Sequence, residues 1–383
     1  MTGYLKNIKD NFKFKNYITY IVITAFLIVT AVMASTGNLN RSTQNLITQI
    51  SYSIILAVSL NLVVGFLGEL SLGHAGFMCV GAYLGCFLAN HLNKIIDSPL
   101  AVLIITMLVG GLIAAVFGFI IGLPALRLKG DYLAIVTLAF GEIVRTIFKN
   151  LKIFGGAMGL STTKYGSDLF IVALVVVLIT VILIQNLVRS KHGRAITAIR
   201  DNEIAAKAMG INVTYYKLFV FVVSAFFAGI AGVIYGHYAT PVLYSFFSYN
   251  YSIEILVMVV LGGMGSINGS IIAAALITFI NFQLTTKLSG DLAALKFLIY
   301  ALILISIVIL NNAPALAVYK EKISFKNIYS KLKQKIKESR MDPSRIKDDT
   351  AQWNRIPTKI DMNALLSTDI SPDDDKNVKG EDK

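Results

Sequence analysis

The chain has 383 residues, 55% of them hydrophobic and 15% charged, with a mean hydropathy of +0.68 and a formal net charge of +13. Soluble domains carry about 25% charged residues, so this composition excludes a cytosolic enzyme, a disordered chain and a nucleic-acid binder with a charged surface. It fits an all-α, polytopic membrane protein, in which the positions of Lys and Arg matter more than their sum because they set orientation.

A spanning helix needs about 20 mostly apolar residues. Residues 1–16 are a basic stretch, with Lys6, Lys9, Lys13 and Lys15 against Asp10. The first span follows at 17–34. Its apolar run exceeds the about 7–15 residues of a secretory signal core, and it reads as a retained signal anchor. Further spans are expected at 46–66, 71–89, 100–123, 169–188, 215–237, 270–286 and 292–311. Two weaker stretches bring the number to about ten: 132–148, which contains Glu142 and Arg145, and 251–264, which is short. The basic N-terminus and the block 320–347, with ten basic and three acidic residues, both belong on the cytoplasmic side. That requires an even number of spans. Ten is the preferred reading, and eight satisfies the same parity.

Ten spans place both termini, 127–129 and 189–214 on the cytoplasmic side of the membrane, and 35–45, 91–98 and 238–250 outside. Lys149, Lys152 and Lys164 then fall outside, against the rule. The expected organisation is a basic cytoplasmic stretch 1–16 and a membrane domain 17–313 with a cytoplasmic loop 189–214. A basic amphipathic segment, 314–341, and a polar, disordered tail, 342–383, follow. In the amphipathic segment Phe325, Ile328, Leu332 and Ile336 share one helical face among lysines, which suits anionic membrane lipid or a docking partner.

Two glycine-rich interruptions break the apolar runs. One extends from Gly65 to Gly76 and holds Gly68, Glu69, Ser71 and His74; the other contains Gly262, Gly263, Gly265, Asn268 and Gly269. Interrupted segments in two halves of a chain point to a transport pathway, although tight helix packing explains glycines equally well. Asp131 stands where an N-cap belongs. Glu142 is a functional candidate as an intramembrane carboxylate, yet it is three residues from Arg145 and can pair with it structurally. Within 189–214 two short helices are expected, the second capped by Asp201 or Asn202 and stopped by Gly210 before Ile211. Cys79 and Cys86 read as packing residues in one span. No phosphate-binding GxxxxGK[ST] loop, metal-ligand spacing or catalytic triad is present in the sequence.

These stretches resemble the permease subunits of branched-chain amino-acid ABC importers of the LivM type. The resemblance covers roughly 46–311 and rests on several long strings in the family's order. They are Ser59-Leu60-Asn61-Leu62, the residues 68–75, 128–138, 141–143 and 155–160, and the run from Gly193 and Arg194 to Ile211. It implies a hetero-oligomer of this chain with a second homologous permease, two cytoplasmic ABC ATPases and an extracytoplasmic substrate-binding protein. The chain itself would be no enzyme and would hold no cofactor or metal. Glu203, Ala205, Ala206 and Gly210 look like a variant of the EAA loop that meets the ATPase, and Arg194, Arg200 and Asp201 join them as ATPase-coupling candidates. Asn61, Gly68, Glu69, Ser71, His74, Glu142, Gly262, Gly265 and Asn268 are the candidates for the translocation pathway. Branched-chain, hydrophobic amino acids are the implied cargo, with urea or short-chain amides as the alternative within the family. An ion-coupled secondary transporter using Glu69 and Glu142 is the rival outside it. Family members end soon after the last span, and this chain departs from them by continuing through 320–383.

Overall fold

A computed structural model describes residues 18–35, 40–126, 130–163, 165, 168–287, 301–302 and 305. The chain divides into a unit 1–308 and a unit 309–383, of which the second lies outside the described residues. So do the expectations for 1–16, 314–341 and 342–383 and, apart from residues 301, 302 and 305, the span at 292–311.

The described residues form α-helices joined by short breaks. In chain order these are α1 (Ile18–Ser35), α2 (Arg41–Asn61), a π-helical turn (Leu62–Leu67), α3 (His74–Leu92), α4 (Pro99–Ala125), α5 (Asp131–Asn150) and α6 (Leu169–Arg189). The short α7 (Lys191–Asp201) and α8 (Glu203–Ala208) follow, then α9 (Val213–Tyr238), α10 (Tyr249–Gly262) and α11 (Ile267–Lys287). Six of the helices, with α2 and the π-turn taken together, are long and apolar enough to cross a membrane: α2, α3, α4, α6, α9 and α11.

Hydrogen bonds sort the connections into two ends of one bundle. At the first end Arg200 of α7 donates to the Gly65 carbonyl at 3.1 Å, and the Gly265 N–H donates to Asn61 Oδ1 at 2.9 Å. At the second, Gln49 reaches the Tyr238 hydroxyl, Asn90 the Ser161 carbonyl, and Leu160 pairs with Val242. Helices α2 to α6 and α9 to α11 therefore alternate in direction between the ends. α5 runs beside α3, with Gly73 against Thr137, Gly76 against Gly141, and the Tyr83 and Phe148 rings stacked at 4.5 Å. α5 thus traverses the bundle although Asp131, Glu142, Arg145 and Lys149 lower its apolarity. α10 has 14 residues, about 21 Å of helix. It begins inside the bundle, where Tyr249 meets Glu142, and Ser252 accepts from the Ala75 N–H. The non-helical stretch 239–243 and a 3-10 turn, Tyr244–Phe247, complete that pass. Irregular backbone at such depth is tolerated because protein surrounds it; Tyr83 donates to the Val242 carbonyl. Ten spans are compatible with this architecture.

Small side chains set how close the helices come. On α4, Thr106, Gly110, Ala114, Gly118 and Gly122 recur every fourth residue and are buried, while Leu108, Leu112, Val116, Phe119 and Leu123 are exposed. The small stripe faces α9: Gly122 lies by Leu218, Gly118 by Ala225, Gly110 by Val233. In hydrocarbon, where apolar surface gains nothing by leaving lipid, such close backbone approach is what holds helices together.

One local expectation is corrected. Gly130, not Asp131, takes the N-cap position of α5, and Asp131 is the first helical residue. The turn needs φ near +59°, a conformation glycine adopts without steric cost.

Candidate functional site

The strongest polar constellation lies at the first end, where both glycine-rich breaks meet the loop between α6 and α9. Ser190 caps α7 by accepting from the His192 and Gly193 N–H groups, and Asn202 caps α8 by accepting from Ala205 N–H at 3.0 Å. Asn202, of the two expected candidates, is therefore the cap. α8 closes in a Schellman motif: Ile211 N–H donates to the Ala206 carbonyl, Gly210 N–H donates to that of Lys207, and Gly210 has φ +82°.

Asn61 is fully buried and joins the two breaks. Its Nδ2 donates to Ser270 Oγ at 2.9 Å, while its Oδ1 accepts from Gly265 N–H. Gly65 packs on the Gly265 backbone, and Gly262 on that of Gly269, so closely that a Cβ on either of Gly65 and Gly262 would collide. Arg200 reaches the same point from α7. Besides its bond to Gly65, its stem lies against Gly68, which has φ +82° and where a Cβ would sit 2.7 Å from Arg200 Cγ.

Lys217, in the second turn of α9, ties the assembly together. Its Nζ lies 2.5 Å from Glu69 Oε1 in the first break and 3.0 Å from Glu203 Oε2 on α8. The lysine side chain is 7% exposed, Glu69 14% and Glu203 43%. A buried cation needs such partners, because removing an isolated charge from water costs several kcal/mol. The Arg200–Asp201 pair, at 39% and 67% exposure, faces water and contributes about 0–1 kcal/mol. Arg200 therefore matters through Gly65 rather than through Asp201.

The remaining candidates fall in different places. His74 is buried and its Nε2 is 2.9 Å from Ser59 Oγ, a hydrogen bond that links α3 to α2. Ser71 is buried in the first break. Glu142 pairs with Arg145 at 2.7 Å and accepts from Tyr249 N–H at 2.9 Å, so it caps the free N–H end of α10. Gly262 packs at the second break, and Asn268 is exposed beside Phe66, Gln185 and Arg189. Arg194 and Ala205 are exposed, and Ala206 is buried. On α8 and just after it, Ile204 and Met209 are 83% and 82% exposed. Among the described residues no group of three or more His, Cys, Asp or Glu is placed to hold a metal ion.

Lys217 is the participant that motif reading missed, together with Ser270. A lone cation within the first turns of an apolar helix was its signal.

The family profile described as "Branched-chain amino acid transport system / permease component" matches residues 42–308. The chain is similar to the high-affinity branched-chain amino acid transport system permease protein LivM of Salmonella typhimurium, with 38% identity over 281 residues, 64% of this chain and 63% of that one. It is 36% identical over 272 residues to the Escherichia coli protein of the same name, covering 62% of each chain. A probable LivM of Methanocaldococcus jannaschii is 28% identical over 252 residues, 56% of this chain and 73% of that one. The match thus spans less than two thirds of the length of the two enterobacterial relatives. No solved structure matches.

Proposed function

The chain belongs to the family of branched-chain amino acid transport system permease components, and on that premise we propose that it is the membrane-spanning subunit of an ATP-driven importer of branched-chain amino acids. Its partners in this reading are a second homologous permease, two cytoplasmic ABC ATPases and an extracytoplasmic binding protein that delivers cargo. The observation that carries the proposal is the wiring of α7 and α8. Arg200 and Glu203 engage the first glycine-rich break through Gly65 and the Lys217–Glu69 pair, and Asn61 ties the second break to it through Gly265. The outer side of the same module presents Ile204 and Met209 to solvent. An exposed apolar knob on a polar loop suits docking into a groove of a soluble partner. ATPase closure would press on α7–α8 and move the two breaks together.

In this orientation the α7–α8 end is cytoplasmic. The basic residues of 1–16 and 320–347 favour it, and so do Arg189, Lys191, Arg194 and Lys207 around the module. Lys149, on the opposite end, lies over the Tyr244 ring at 5.4 Å. The carboxylates that a secondary transporter would need for ion coupling are both engaged, Glu69 by Lys217 and Glu142 by Arg145.

The test is an Ile204→Asp, Met209→Asp double variant in cells that express the whole transporter. Both positions are exposed, so the chain should reach the membrane at its normal level. Labelled leucine uptake should fall at least tenfold and the ATPases should no longer co-purify. Full uptake with a tightly bound ATPase would overturn the reading, as would leucine uptake by the purified chain alone in vesicles. Competition by urea or acetamide, but not by leucine, would move the cargo to the amide branch.

A further inference from the structure

At the end of the bundle opposite α7 and α8, a cavity of about 520 Å³ opens between the start of α2, the start of α6 and the end of α9. Small-ligand sites typically measure about 300–1,000 Å³ and combine apolar walls with a few convergent polar groups. This cavity has both. Arg41, Gln44 and Thr48 line it from α2, and His237 and Thr240 from the end of α9 and the loop beyond. Leu169 and Phe170 supply an apolar wall, with Phe170 anchored in a small cluster with Ile47 and Leu174.

Two observations say what it takes. His237 is only 4% exposed, its Nδ1 faces the Thr163 carbonyl at 3.4 Å, and its Nε2 is buried without a hydrogen-bond partner. A buried polar atom left unsatisfied costs about 1–3 kcal/mol, and with Nδ1 turned to a carbonyl the neutral ring leaves Nε2 as an acceptor, which suits a donor such as the ammonium group of an amino acid. The second observation is charge. Arg41 is exposed at the mouth, no described carboxylate pairs with it, and among the described residues no Asp or Glu lines the cavity. The lining is cationic and rich in hydrogen-bonding groups on one side, and aliphatic and aromatic on the other.

We propose that this cavity is a receiving site for a small aliphatic carboxylate, with Arg41 holding the carboxylate and Leu169 and Phe170 the hydrocarbon body. The inference rests on the importer reading and extends it. The site is where an amino acid released outside the membrane first touches the permease, and it selects for the carboxylate that amides lack. Guanidinium–carboxylate geometry is bidentate and directional, which suits such discrimination.

The experiment uses the full chain purified in lipid nanodiscs and three probes: L-leucine, 4-methylpentanoate and L-leucinamide. The first two share the carboxylate and the branched body; the third keeps the body and loses the anion. Leucine and 4-methylpentanoate should protect the chain against thermal unfolding in a saturable way, and leucinamide should not. Arg41→Gln should weaken leucine binding about ten- to a hundredfold, the usual effect of losing a charged hydrogen bond. Arg41→Lys should restore part of it. Lys94→Gln, which removes a cation near the same end but outside the cavity, should leave it unchanged. Equal binding of leucinamide, or undiminished binding by Arg41→Gln, would overturn the proposal. Leucine uptake in cells separates the two readings. Uptake by the wild-type transporter together with no saturable binding to the nanodisc chain would sink the receiving site alone. Absence of wild-type uptake would sink the importer reading.

Discussion

Lys217 holds three segments that, among the described residues, have no other ionic contact with one another: the first glycine-rich break, α8 and the start of α9. Lys217→Met strands two carboxylates at one point. Leaving a buried charge unpaired costs about 3–5 kcal/mol, and the 43% exposure of Glu203 moves the expectation toward the lower bound because water screens that partner. We expect a clear fall in the thermal unfolding temperature of the purified chain, with most of the loss recovered in Lys217→Met combined with Glu69→Gln. If the double variant unfolds no later than the single one, the lysine acts by packing and not by charge. At this scale the sequence was readable where a residue acts on its own backbone neighbourhood. Asn202 and Gly210 start and stop α8 as their chemistry dictates. It was unreadable where the partner is far along the chain: nothing local announces that Asn61 meets Gly265 and Ser270, or that Glu69 meets Lys217.

Among elements, α4 shows how a segment that is apolar all round still specifies one face. Its buried stripe is made of small residues, so its direction is encoded by size rather than by polarity, and hydropathy alone does not find it. The same logic governs α3 against α9. A Cβ on Gly85 would lie 2.5 Å from Val233 Cγ2, with its next neighbour at 3.4 Å. Gly85→Ala should therefore destabilise by about 1–3 kcal/mol through overpacking. Val233→Ala should destabilise too, by opening a void. The pair together should be more stable than Gly85→Ala alone. A double variant with additive losses would mean that the methyl group meets backbone, not the valine. Element type was largely legible from apolar runs, including the weak stretches 132–148 and 251–264, which form α5 and α10. The start of α10 within the bundle was not, because an irregular buried stretch is stabilised by partners such as Tyr83 and not by its own composition.

For the whole molecule, the alternating passes and the placement of α7–α8 at one end lead to a labelling pattern. In intact cells a membrane-impermeant maleimide should modify Lys94→Cys and Lys149→Cys from outside. It should reach Lys207→Cys only after permeabilisation. Native Cys79 and Cys86 are buried and should give little background. Labelling of Lys207→Cys in intact cells would reverse the proposed orientation, and labelling of Lys149→Cys only after permeabilisation would remove the α5 pass from the count. The mixed charge of the loops explains why topology was only partly legible: Lys94, Lys149 and Lys152 lie at the end opposite Arg189, Lys191 and Arg194.

The clasp around Asn61 has a consequence for how the chain is made. Its partners Gly265 and Ser270 are 204 and 209 residues further along, and the cation for Glu69 is 148 residues away. At about 5–20 residues per second, roughly 10–40 s separate the synthesis of Asn61 from that of Gly265. The Gly65 carbonyl waits for Arg200 and the Glu69 carboxylate for Lys217, while the Asn61 amide, just before the π-turn, is without its final partners for the whole interval. The segment must wait beside water or the insertion machinery until α11 emerges. Late arrivals, not the early helices, then set the moment at which the first half of the bundle can close.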